Sequence, residues 1–61
     1  MRRYIVFRRG YQYIVHAESV VRAIQTAMLH GGGVADDWVC HQFSSYPQHL
    51  RARLTRESVT L

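Results

Sequence analysis

The sequence predicts a single small α+β domain in which a β-hairpin is followed by one helix and a third strand. Two runs rich in β-branched and aromatic residues flank a glycine-containing turn. Apolar residues then recur at helical spacing over 20–28, and a third run typical of a strand follows at 38–43. This β-β-α-β order predicts a three-stranded sheet with one helix packed on it.

The hairpin strands are predicted at 3–8 and 11–17, joined by Arg9-Gly10. Gly10 can adopt the positive φ that a two-residue hairpin turn requires. This register places alternate residues on one face of the hairpin, namely Tyr4, Val6, Arg8, Tyr11, Tyr13, Val15 and Ala17. The other face carries Arg3, Ile5, Phe7, Gln12, Ile14 and His16.

The helix is predicted to begin after Ser19, whose hydroxyl can accept a hydrogen bond from the first-turn backbone. Its buried stripe comprises Val20, Ala23, Ile24, Ala27 and Met28. The glycine run 31–33 ends the helix. A right-handed crossover would make the third strand parallel to the second, and the simplest sheet order is 2-1-3.

The C-terminal segment 44–61 extends the 3–43 core within one domain, 1–61, and is compatible with two structures. Pro47 is typical of a first helical turn, and Leu50 and Leu54 could then pack on the core. The same stretch alternates leucine and alanine with arginine, which would suit an edge strand. We favour a short helix with frayed final residues.

Composition restricts the class of protein. The chain has 61 residues and a net charge of +4, and all eight of its strong cations are arginine. Cys40 is the only cysteine, so an internal disulfide cannot form, which fits a reducing compartment. No apolar run has the length of a signal-peptide core or a membrane span. We therefore expect a cytoplasmic protein without membrane contact.

No group of side chains predicts catalysis. Cys40 and His41 are adjacent, so on a strand they point to opposite faces, and the other histidines lack the spacing of a zinc site. A thiol beside Trp38 in a strand is usually packed and inert. The four carboxylates have no supporting partner for acid–base chemistry. We predict a non-enzymatic protein with no metal and no cofactor.

One helix covers only one face of the sheet, so Ile5, Phe7 and Ile14 need another cover. Either the C-terminal segment folds over them or a partner does, including a second copy in a homodimer. The partner interpretation is our leading prediction: a small binding protein that modulates or inhibits a macromolecular partner, which we expect to be a protein. Its site would comprise Arg3, Ile5, Phe7, Arg9, Ile14, His16 and Arg51.

Binding of DNA or RNA is the alternative, because arginines and aromatic rings on a sheet can hold phosphates and stack bases. That site would comprise Arg2, Arg3, Arg8, Arg9, Tyr11 and Tyr13. The hairpin–helix–strand layout of 3–43 resembles that of short accessory proteins encoded by phages and mobile elements. The resemblance is one of layout without motifs, and it implies binding to a host protein or a nucleic acid.

Overall fold

Two helices lie on opposite faces of a four-stranded mixed sheet in the computed structural model, which describes all 61 residues. The elements in chain order are β1 (Arg2–Arg8), β2 (Tyr11–Ala17), α1 (Val20–Gly31), β3 (Val39–Gln42), α2 (Gln48–Glu57) and β4 (Val59–Thr60). Single 3-10 turns, Ala35–Asp37 and Phe43–Ser45, precede and follow β3. The α+β class is confirmed, with four strands instead of the predicted three.

The hairpin has the predicted register. Arg8 pairs with Tyr11, and Tyr4 pairs with Val15 across antiparallel strands. Gly10 has a φ of 86°, as the tight turn requires. β3 lies antiparallel to β1 on its free edge, so it runs in the same direction as β2 and the predicted order 2-1-3 is present within the sheet.

Helix α1 packs closely on the predicted face of the hairpin. The Ser19 hydroxyl accepts a hydrogen bond from the Arg22 amide at 3.2 Å and caps the helix. Small residues at four-residue spacing, Ala23, Ala27 and Gly31, let the helix approach the sheet. The resulting core cluster comprises Tyr4, Val6, Tyr13, Val15, Ala17, Ala23, Ala27 and Trp38.

Trp38 fixes the end of α1 against the sheet. Its Nε1 donates a hydrogen bond to the Gly32 carbonyl at 3.0 Å. A Cβ atom at Gly31 would lie 2.6 Å from the Trp38 ring, so this close approach requires glycine. The predicted third strand, 38–43, is therefore two residues too long, because Trp38 turns into the core before β3 begins and Phe43 turns away after β3 ends.

The face that carries Ile5 and Ile14 is covered by the chain itself. Their side chains are only 1% and 3% exposed, and they form a second core cluster with the buried Phe43. Tyr46 and Leu54 pack against this cluster from the C-terminal segment. The expectation that a partner must cover this face is wrong, because the turn after β3 brings the amphipathic helix α2 back beneath the sheet.

The C-terminal segment forms the predicted helix, but its final residues are not frayed. Val59 pairs with Tyr13 in a short parallel strand on the outer edge of β2. The Leu61 amide then donates to the Ile14 carbonyl at 2.8 Å. These bonds satisfy backbone groups that the edge of β2 would otherwise leave open. Neither helix combines the length and the hydropathy needed to cross a membrane.

Candidate anion-binding cleft

The arginines predicted to act at the first strand lie in two groups at its opposite ends. Arg2 and Arg3 begin β1, whereas Arg8 ends it and Arg9 follows in the hairpin turn. A seven-residue strand spans about 20 Å, so one small ligand cannot contact both groups. The predicted nucleic-acid site is therefore divided in two, and the two ends differ in structure.

Arg8 is held by contacts within the protein. Its Nε and Nη2 atoms both donate to the Gly31 carbonyl at the end of α1, with an Nε to O distance of 3.2 Å. Its guanidinium carbon lies 4.8 Å from the ring centre of Tyr11 and 5.4 Å from that of Trp38. A cation at a helix C-terminus is stabilised by the carbonyls exposed there. We therefore assign Arg8 a structural role.

Only one of the two tyrosines predicted to form a platform for bases is exposed. Tyr13 is only 8% exposed, and its ring stacks on Trp38 at 5.9 Å between ring centres. Tyr11 is partly exposed, but Arg8 lies over its ring. The prediction was wrong for Tyr13 because the face that carries it is the one on which α1 packs.

The other end of β1 forms a concave site. A cleft of about 350 Å³ opens where β3 ends and the chain turns toward α2. Its lining consists of Arg2, Arg3, Gln42, Phe43, Ser44 and Arg51. Three of these six residues are arginines that come from two separate segments of the sequence, and none is acidic.

Arg3 is oriented by a buried aromatic ring. Its guanidinium carbon lies 4.6 Å from the centre of the Phe43 ring, and Phe43 is fixed in the second core cluster. A guanidinium that stacks in this way keeps its N–H donors in the plane of the group, at its edges. Arg3 therefore presents donors to the cleft from a rigid support.

The three cleft arginines have no acidic partner in the protein. The one ion pair joins Arg53 and Glu57 at 2.8 Å on the exposed surface of α2. Because no carboxylate lines the cleft, the charges of Arg2, Arg3 and Arg51 add to a local positive potential. A local positive potential of this kind favours an anion as the ligand.

The chain matches no protein family, curated protein sequence or solved structure significantly. The chemistry of the cleft therefore carries the functional argument.

The predicted partner-binding residues are divided in the same way. Arg3 and Arg51 meet at the cleft, and His16 is exposed on β2 directly opposite Arg3. Arg9 lies apart from them in the hairpin turn. Phe7 is half-buried against the second core cluster, so only part of its ring is free. Because Ile5 and Ile14 are also buried, the predicted site keeps its charged rim but loses its apolar centre.

Sequence reasoning missed Gln42 and Ser44. Gln42 was assigned to the predicted third strand and Ser44 to the start of the C-terminal segment, whereas in the structure their exposed side chains line the cleft. An amide and a hydroxyl can each donate a hydrogen bond to an anion oxygen. The two consecutive serines after the strand were the available signal, since serine favours turns over strands.

The remaining reactive side chains do not form a site. Cys40 is half-buried on β3, and burial raises the pKa of its thiol, which lowers the fraction of reactive thiolate. No three histidine, cysteine, aspartate or glutamate side chains lie close enough together to hold a metal ion.

Proposed function

We propose that this protein is a small, non-enzymatic, cytoplasmic binding protein that holds phosphate groups of a nucleic acid in the arginine cleft. The observation that carries the proposal is the convergence of Arg2, Arg3 and Arg51 on one concave surface without any acidic neighbour. A planar guanidinium matches the oxygens of a phosphate and can bind them in pairs. A cluster of three guanidinium groups favours a phosphate over a neutral ligand.

The neutral polar residues of the cleft fit the same ligand. Ser44 and Gln42 place a hydroxyl and an amide beside the three arginines. Arginine, serine and glutamine side chains are among the usual contacts of nucleic-acid phosphates. These contacts position a backbone without reading its bases.

The buried aromatic residues predict weak sequence preference. Tyr13 is in the core, and the rings of Tyr11 and Phe43 each lie beneath an arginine. None of these three rings is therefore fully free to stack on a base. We expect binding dominated by phosphate contacts, and hence by salt concentration, with little dependence on base sequence.

Fluorescence anisotropy with labelled random-sequence oligonucleotides over a salt series tests this proposal. If the three cleft arginines neutralise about three negative charges of a single strand, log K should fall against log salt with a slope of about −2, which is roughly a twenty-fold loss between about 50 and 200 mM. The double variant Arg3→Gln/Arg51→Gln should flatten the slope to that of about one contact.

A variant of equal charge provides the control. Arg9→Gln/Arg22→Gln removes the same two charges from exposed positions outside the cleft. It should keep most of the salt slope of the wild type. Absence of binding at low salt, or equal losses in the two double variants, would contradict the assignment of phosphate binding to the cleft.

A protein partner is the second candidate, because α1 carries apolar side chains on its outer surface. Val21 is 64% exposed and Leu29 is 86% exposed, about two turns apart on the outer side of the helix. Exposed apolar side chains of this kind can contribute to an interaction surface. Such a partner could be a protein that this chain modulates or inhibits, or a second copy. Both candidates fit the accessory role that the hairpin–helix–strand layout implies.

Nuclease treatment distinguishes the two candidates. Capture of partners from a cell lysate should be lost after nuclease treatment if nucleic acid is the ligand. Capture that survives nuclease but is lost in Leu29→Glu would instead favour the protein partner, because this substitution changes only an exposed side chain.

A further inference from the structure

The cleft holds more positive charge than one internal phosphodiester can balance. Three arginines contribute three positive charges, and no carboxylate offsets them. A phosphodiester carries one negative charge, whereas a phosphate monoester carries about −1.5 to −2 at neutral pH. The monoester is the better electrostatic match to this site.

Three arginines are gathered in the cleft, whereas the exposed arginines outside it that form no ion pair, Arg9, Arg22 and Arg56, are scattered over the hairpin turn and the two helices. A surface that tracks a nucleic-acid backbone needs basic residues spaced along its length. Beyond the cleft, β1 continues as the buried residues Tyr4 to Val6, and the far end of β3 is preceded by exposed Asp36 and Asp37. Arg8 is bound to the Gly31 carbonyl. The strands therefore carry no continuous line of free arginines from the cleft to the hairpin turn.

The donors of the cleft converge from different directions on one volume. Arg3 is supported by the Phe43 ring, Arg51 projects from α2, and Ser44 belongs to the turn between β3 and α2. A tetrahedral phosphate with three free oxygens can accept from several such donors together. An internal phosphodiester offers only two free oxygens and must leave the cleft on two sides.

We infer that the cleft binds a terminal phosphate monoester of a nucleic-acid strand in preference to its internal phosphodiesters. This inference rests on the proposed function and specifies the ligand group that the same site recognises. It requires only that Arg3 and Arg51 contact the terminal group, with Arg2 and Ser44 adding further donors.

Three labelled oligonucleotides of one sequence test the inference, carrying a 5′-phosphate, a 3′-phosphate or hydroxyl groups at both ends. We expect at least one phosphorylated form to bind about tenfold or more tightly than the hydroxyl form at the same salt concentration. Arg3→Gln/Arg51→Gln should abolish this preference. Arg9→Gln/Arg22→Gln should retain it while weakening all three oligonucleotides alike.

A neutral peptide with and without one phosphoserine serves as a second probe. Equal affinity for the three oligonucleotides would overturn the terminal-phosphate inference and leave the proposed function standing. Absence of binding to all three would overturn both. Binding of the phosphopeptide without binding of any oligonucleotide would overturn the assignment of the ligand to nucleic acid.

Discussion

The two ends of β1 carry the same local arrangement, an arginine lying over an aromatic ring that flanks β3. At one end Arg8 lies over Trp38, and at the other Arg3 lies over Phe43. The two ends differ in what faces the guanidinium donors. Arg8 meets the Gly31 carbonyl, whereas Arg3 opens on a cleft without any acidic side chain.

This difference shows that the role of an arginine depends on the acceptor opposite its donors. Arg8 satisfies a carbonyl that α1 would otherwise leave open at its end, so its charge contributes to folding. Arg3 is held in place by a ring but has no acceptor in the protein, so its donors are available to a ligand. The following predictions test this distinction in order of decreasing effect.

The largest effect is expected at the aromatic support of Arg8. Trp38→Ala should lower the free energy of unfolding by about 3–5 kcal/mol, because it empties a buried site and removes the hydrogen bond to Gly32. Trp38→Phe should cost less, since it retains a ring. Denaturation should be followed by circular dichroism, because Trp38 is the only tryptophan. A loss below about 1 kcal/mol in Trp38→Ala would contradict the core position of this ring.

Substitution of the two arginines should lower the free energy of unfolding to different extents. Arg8→Gln should lower the free energy of unfolding by about 1.5–3 kcal/mol, as expected for the loss of charged hydrogen bonds to a carbonyl. Arg3→Gln should lower it by no more than about 1 kcal/mol, the value of an exposed cation–π contact. Urea denaturation of both variants measures this. A larger loss for Arg3→Gln than for Arg8→Gln would reverse the assignment of roles.

The ring beneath Arg3 should affect binding more than its small effect on folding suggests. Phe43→Leu keeps most of the apolar volume and should cost less than about 1.5 kcal/mol of stability. Loss of the cation–π support should weaken oligonucleotide binding about two- to five-fold. Anisotropy titrations of the folded variant provide the measurement. Unchanged affinity would mean that the ring does not orient Arg3 for binding.

The smallest effect is expected when the Arg53–Glu57 ion pair on α2 is broken. Glu57→Gln breaks the exposed Arg53–Glu57 ion pair, and exposed pairs contribute little to stability. The midpoint of thermal unfolding should therefore remain within error of the wild type. A clear decrease would show that α2 depends on this pair for its position over the second core cluster.

Local sequence patterns were sufficient to predict the hairpin and the first helix. The alternation around Gly10 gave the correct pairing of Tyr4 with Val15, because register in a tight hairpin follows from the turn. The helical spacing of Ala23 and Ala27 correctly identified the buried side of α1, but Val20, which was assigned to the same stripe, is 46% exposed at the start of the helix. These features depend on neighbours in the sequence.

Long-range pairing was beyond the reach of those patterns. β4 contains only two residues, and its parallel pairing with β2 depends on where α2 ends. The covering of Ile5 by Leu54 likewise depends on the turn that follows β3. The sequence pattern places Arg3 and Arg8 on opposite faces of the hairpin, but only the fold shows that Arg8 faces a carbonyl and Arg3 a cleft.

The most direct test of the central claim is an NMR titration of the arginine side-chain Nε–Hε signals with a 5′-phosphorylated oligonucleotide. We predict that the signals of Arg3 and Arg51 shift on binding while that of Arg8 stays in place, because Arg8 remains bound to Gly31. Shifts at Arg8 and Arg9 with none at Arg3 or Arg51 would contradict the claim that the start of β1 holds the ligand.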